Sequence, residues 1–149
     1  MGGIMSGTLE QAPIPQTTLS AMQLAVAGAR LLDTGHAEEA EKTWREAVRL
    51  DPGCNTAWSC LTDLLARAKR LPEAADCLDR LLALSERSAA NLLMFGESYC
   101  ALERNEQARE LLSEAARIDP SFEVRVRVLI AKLDAKVEDW EAAIRGVNR

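Results

Sequence analysis

The sequence predicts an all-α chain built as a stack of helical hairpins, and three observations carry that prediction. Ala40, Ala74, Ala108 and Ala142 stand 34 residues apart, with Glu39, Glu73, Gln107 and Glu141 one place before them. Large apolar residues keep the same beat at Leu24, Trp58, Leu92 and Val126, and again at Leu31, Leu65, Tyr99 and Leu133. Asp51-Pro52 returns as Asp119-Pro120 two periods later. A fixed period of this length belongs to arrays in which each unit buries its apolar face only against its neighbours.

Within each period, apolar residues recur at three- and four-residue steps, as in Leu24, Ala27, Leu31 and in Leu78, Leu81, Leu82. That spacing lays them along one face of a helix. The pattern predicts helices over 18–33, 36–50, 55–68, 71–84, 89–102, 105–118, 122–136 and 138–146. Boundary residues agree. Gly35 suits the turn between the first two helices, and Pro52 and Pro120 follow second helices, where a proline ends the run. Pro72 falls in a first turn, where its missing N–H is harmless. Ser88 and Ser121 are expected N-caps. Gly28 with Ala40, and Gly96 with Ala108, are small enough to let paired helices approach closely. The β-branched run from Val124 to Ile130 could form a strand on its own, but its phase with the earlier first helices makes it helical. The first 17 residues hold Gly2, Gly3, Gly7, Pro13 and Pro15 and no helical period. They are expected to form a flexible tail ahead of a domain over 18–149.

This register resembles the tetratricopeptide repeat. The unit 21–54 carries Leu24, Ala27-Gly28, Leu31, Ala40, Trp44, Ala47 and Pro52. The unit 55–88 has Trp58, Leu61, Leu65, Ala74, Leu78 and Leu81, but Thr62 stands for the glycine and Glu86 for the proline. The unit 89–122 has Leu92, Phe95-Gly96, Tyr99, Ala108, Leu112, Ala115 and Pro120. A shortened fourth unit, 123–149, keeps Val126, Leu129, Leu133, Ala142 and Ile144, with Ile130 in place of the glycine. The resemblance implies a right-handed α-solenoid whose first helices line a concave groove that takes peptides or protein segments. In this register the groove residues are Met22, Ala25, Ala29 and Leu32, then Ser59, Asp63 and Arg67, then Leu93, Glu97 and Cys100, and last Arg127 and Ala131. One subclass grips the carboxylate of chaperone tails with Lys, Asn and Arg. The matching positions here hold Ala25, Ala29, Cys60, Ala90 and Met94, which make no charge-assisted bond, so that ligand is not expected.

Composition narrows the remaining functions. A net charge of −5 disfavours nucleic acid, which needs a concentrated basic face. Arg125, Arg127 and Lys132 read as a solvated helix face. No apolar run reaches membrane-spanning length, and the N-terminus lacks a charged start and a continuous apolar core. Neither a membrane nor a secretory route is expected, and the cytoplasm is the default location. Cys54, Cys60, Cys77 and Cys100 form no C-x-x-C pair, and His36 is the one histidine, so no metal site is expected. His36 sits in a turn without a partner nucleophile, and no glycine-rich phosphate loop is present, so neither catalytic nor cofactor-binding residues are assigned. Trp44 and Trp58 occupy core positions, and packing is also the default for Trp140.

The expectation is therefore a non-catalytic interaction module, an adaptor or assembly chaperone with a protein partner in its groove. Two alternatives stand beside it. An open C-terminal end near Val126, Ile130, Trp140 and Ile144 would serve self-association or docking onto a complex. The chain would otherwise be an accessory domain of an enzyme.

Overall fold

The computed structural model describes residues 19–147. These form α1 (Ala21–Asp33), α2 (Ala37–Leu50), α3 (Asn55–Arg67), α4 (Leu71–Leu84), α5 (Ala89–Ala101), α6 (Asn105–Ile118), a 3₁₀ turn (Pro120–Phe122) and α7 (Glu123–Val147). The expected tail, 1–17, and the first residue of the expected first helix lie outside the described residues. The order makes an all-α solenoid: α1 packs on α2, α3 on α4 and α5 on α6, and the hairpins stack in sequence.

Each hairpin closes through a turn with the same backbone. His36 N–H reaches Leu31 O at 2.8 Å, Arg70 N–H reaches Leu65 O at 2.9 Å, and Arg104 N–H reaches Tyr99 O at 2.9 Å. The middle residue of each turn has a positive φ: 85° at Gly35, 61° at Lys69 and 61° at Glu103. The fourth unit puts Val137 at this position, one period after Glu103. A β-branched side chain is excluded from the left-handed region. The expected break near 137 is accordingly absent, and α7 runs straight through for 25 residues. The fourth unit is a single long helix.

Within a hairpin the helices meet over small residues. Ala40, Ala74 and Ala108 are fully buried. A methyl group at Gly28 would stand 2.4 Å from Trp44 Nε1, and one at Gly96 would stand 2.7 Å from Leu112 Cδ2. Glycine is used here for space. Trp44 fills the gap and donates its indole N–H to Ala25 O at 2.9 Å, so its one polar atom is satisfied inside the core. In the second unit Thr62 replaces the glycine opposite the smaller Leu78, and its hydroxyl donates to Trp58 O at 2.8 Å. Trp58 is half-buried and donates to Pro52 O at 2.9 Å.

Two end caps form from serine. Ser20 accepts from Gln23 N–H at 3.2 Å while its own N–H donates to Gln23 Oε1 at 2.8 Å, a capping box on α1. Ser88 accepts from Asn91 N–H at 3.2 Å, as expected. Ser121 is not a cap: it lies inside the 3₁₀ turn, and Asp119 caps that turn by accepting from Ser121 N–H at 2.9 Å. Trp140 is 66% exposed on the free half of α7, contrary to the packing expectation, because no second helix folds back over it. Val126, expected at the open end, is buried.

Ion pairs tie the second helix of the first unit to the next unit. Glu41 accepts from Arg70 Nη1 and from Arg45 Nη2, each at 2.8 Å, and Glu73 accepts from Arg70 Nη2 at 2.7 Å. The Arg70 hydrogen bond, followed by Arg45, holds the Glu41 carboxyl below its ordinary value despite partial burial.

Gly28→Ala forces the Trp44 ring to move and should lower the unfolding free energy by about 1–3 kcal/mol, read from the urea midpoint. Glu41 has a depressed folded-state pKa, so its contribution is present above the unfolded carboxylate value and lost as pH falls through the folded one. Glu41→Gln should therefore flatten the acid side of the stability–pH curve and leave the alkaline side unchanged, as followed by thermal melts across that range.

Candidate functional site

The surface of the first helices offers the site, and helical geometry decides which residues reach it. Counted from the start of α1, α3, α5 and α7, the second, sixth, ninth and thirteenth residues project together, away from the paired helix. The sixth residues are Val26, Cys60, Met94 and Val128. Val26, Met94 and Val128 are exposed and Cys60 is half-buried. Met22 and Val124, second in their helices, are 53% and 74% exposed and extend the same apolar ladder. Beside it runs a row of ninth residues, Ala29, Asp63, Glu97 and Ala131, small at its ends and acidic in its middle.

The twelve expected groove residues divide three ways. Met22, Ala29, Ser59, Asp63, Arg67, Arg127 and Ala131 are exposed. Leu32, Glu97 and Cys100 are half-buried. Ala25 and Leu93 are buried at 1% and 5%, because the fifth residue of a first helix turns toward the next unit and seals the stack. Arg127 has the same position and is exposed, with no further hairpin packed against α7 among the described residues. Sequence reasoning missed Val26 and Val128, and placed Cys60 and Met94 only at the positions of the carboxylate clamp. Their signal was present: four apolar residues spaced one period apart.

Clefts interrupt this face, one of them beside Met22 and Val26. Between α1 and α3 lies one of about 450 Å³, lined by Ala29, Leu32, Asp33, Cys60, Asp63 and Arg67 among others. Between α3, α4 and α5 lies one of about 590 Å³, with Ser59, Asp63, Leu78, Leu81, Met94 and Phe95 in its lining. Another, of about 510 Å³, lies between the α5–α6 turn and α7, at Cys100, Glu103, Asn105, Lys136, Val137 and Trp140.

Asp33, Asp63 and Glu97 set the charge of the face against Arg67. Glu97 is engaged by Arg125 Nη2 at 2.5 Å, a bond that fastens α7 to α5, and Asp134 of α7 pairs with Arg109. Asp63 has no ion pair among the described residues. Burial raises the Cys60 thiol pKa, and the Asp63 carboxylate raises it further. All four cysteines are free. His36 is exposed, with Nδ1 3.0 Å from Thr34 Oγ1. Among the described residues no group of three or more His, Cys, Asp or Glu is placed to hold a metal ion. No helix of the described chain is long and apolar enough to cross a membrane.

Comparisons agree with this architecture. Residues 26–91 match a family model for the tetratricopeptide repeat. The match spans less than half of the chain, and the described residues as a whole have the fold of an α-solenoid of stacked helix–turn–helix units. A search of curated proteins finds no match. The first such domain of Spaghetti (RPAP3), solved with the HSP90 peptide SRMEEVD, is 18% identical, with a TM-score of 0.59 over 80% of this chain and 94% of that one. MamA from Desulfovibrio magneticus RS-1 is 19% identical, with a TM-score of 0.60 over 88% and 73%. YrrB, described as having an unusual peptide-binding site, is 18% identical, with a TM-score of 0.60 over 87% and 66%. These likenesses are of fold.

The state of Cys60 gives a direct probe of this face. Only the thiolate reacts with alkylating reagents. Cys60 should be alkylated more slowly than a free cysteine near neutral pH. Asp63→Asn should quicken it without reaching the free rate, since burial is the larger cause; peptide mass mapping follows both.

Proposed function

We propose that the protein is a non-catalytic interaction module, an adaptor or assembly chaperone, that holds a segment of a protein partner across the first-helix face. The observation that carries this reading is the ladder Val26, Cys60, Met94, Val128, flanked by Met22 and Val124. Apolar side chains repeated on the solvent side of an array mark an interaction surface, because a solenoid gains nothing from exposing them. The similar folds solved with a peptide, or described as having a peptide-binding site, support the same reading. The ligand differs in charge from the acidic peptide bound by RPAP3. Here the ladder is accompanied by Asp33 and Asp63, neither in an ion pair among the described residues, which repel such a peptide and favour a partner with basic residues beside its apolar ones; Glu97 is already paired with Arg125. Four free cysteines accord with a reducing, cytoplasmic setting.

A second reading has its own observation. Val137, Trp140 and Ile144 lie exposed on one side of α7 and continue the line of Val126, Ile130 and Leu133, which pack on the solenoid. That stripe suits self-association or docking onto a larger assembly.

Affinity capture from the native lysate separates the two. The intact chain, Val26→Asp/Val128→Asp and Trp140→Asp are compared, with partners read by mass spectrometry. A partner retained by Trp140→Asp and lost from the ladder variant is the expected result. A partner that survives the ladder variant and disappears with Trp140→Asp would overturn the first reading in favour of the second.

A further inference from the structure

We infer that the seam between the second and third units is a built cleft for a partner segment that inserts a large apolar side chain and sets a lysine or arginine against Asp63. The inference rests on the interaction-module reading and narrows it to one place and one ligand chemistry.

Four departures from the repeat coincide at this seam. At the first seam, Ala21 and Ala25 of α1 are buried toward α3, Ala47 is fully buried, and the junction is Asp51-Pro52. At the third seam, Leu93 and Ala115 are buried and the junction is Asp119-Pro120. The equivalent residues of the second unit are Asn55, Ser59, Leu81 and Ser85-Glu86. Asn55 and Ser59 are exposed where apolar residues seal the other seams. Leu81, half-buried, is a larger group than the two alanines in its place at the other seams, and it lines the opening.

The junction itself takes another course. Asp51 Oδ1 accepts from Gly53 N–H, and Asp119 Oδ1 from Ser121 N–H, each at 2.9 Å. Such an Asx turn folds the chain back tightly into the next helix. Ser85, extended like Asp51 and Asp119, instead donates its hydroxyl back to Leu81 O at 2.7 Å. The linker is then fastened to the third unit by the Arg87–Glu114 pair at 2.5 Å and by Asn91 Nδ2 donating to Glu86 O at 2.8 Å. Tyr99 donates its hydroxyl to Asp79 of α4. These bonds join α4 and the linker to the third unit, although a smaller cleft of about 340 Å³ also lies beside Asp79 and Tyr99, while α3 and α5 stay apart on the first-helix side, unlike α1 and α3.

The opening is the cleft of about 590 Å³. Its deepest lining residues, Leu78 and Phe95, are each 3% exposed, and Leu81 and Met94 add apolar surface. Ser59, Thr56, Asn55 and Ser98 line it with donors and acceptors suited to a peptide backbone. Asp63 is its one charged residue and is exposed. An apolar interior with few polar groups and a single carboxylate selects a large apolar side chain next to a cation.

The test uses the full chain and a phage-displayed random dodecapeptide library, with selected peptides titrated afterwards. The expected consensus is a large apolar residue adjacent to Lys or Arg. Asp63→Lys should weaken these peptides about tenfold or more. Ser85→Asp/Glu86→Pro, which restores the Asp-Pro turn and closes the seam, should do the same, while Ser85→Ala, which only removes a lining hydroxyl, should not. Ser59→Leu, which puts at the seam the residue that Leu93 supplies in the third unit, is the second closing variant, should the turn variant fail to fold by circular dichroism. Peptides that bind both closing variants unchanged but lose affinity for Val26→Asp/Val128→Asp would overturn the cleft and leave the interaction module standing. An acidic consensus would also overturn the cleft, and recovery of no peptide would overturn both.

Discussion

The closeness of two helices within a unit is the constraint on which the rest of the array depends. Gly28 and Ala40 let α1 and α2 approach until Trp44 fills the space between them, and Gly96 and Ala108 do the same with Leu112. That approach fixes the rotation of each first helix. Rotation then decides which residues seal the stack and which face solvent. Ala25 and Leu93 turn inward for this reason, and Val26 and Met94, one place later, turn outward. The proposed interaction uses the outward set, so a packing requirement in the core places the apolar ladder on the surface.

The fold was legible in the sequence because its cause is periodic. Alanines one period apart report close helix packing, and the first six helices lie within a few residues of where apolar spacing places them. What escaped was governed by single backbone positions. The turn between paired helices needs a left-handed residue, which Gly35, Lys69 and Glu103 supply and Val137 does not. One β-branched residue therefore converts an expected hairpin into a helix of 25 residues and leaves Trp140 in solvent. Apolar periodicity cannot see this, since Val137 fits a helical pattern as well as its neighbours do.

The candidate face was half legible. Asp63, Glu97 and Ala29 were placed in register, as was Met22. The choice between a fifth and a sixth residue turns on a rotation of one residue's angular step, finer than a family register conveys. Composition at the second seam carried more information than it first yields. Asn55, Ser59, Leu81 and the missing Asp-Pro each look like an ordinary departure from a degenerate repeat. Only the fold shows that all four meet at one junction, where a regular array becomes a solenoid with a defined opening. Repeat proteins are stabilised by nearest-neighbour interfaces, so loosening a single interface is tolerated while the hairpins on either side stay intact.

The most direct test of this account measures the seams themselves, without any partner. Spin labels at Ala29 and Asp63 report the spacing of α1 and α3, and labels at Asp63 and Glu97 report that of α3 and α5. Labelling is made in a background with the native cysteines replaced by alanine or serine. Pulsed electron–electron resonance should give a longer mean distance for the second pair than for the first. Equal distances would contradict the account, because they would mean that the second seam closes like its neighbour despite its different residues.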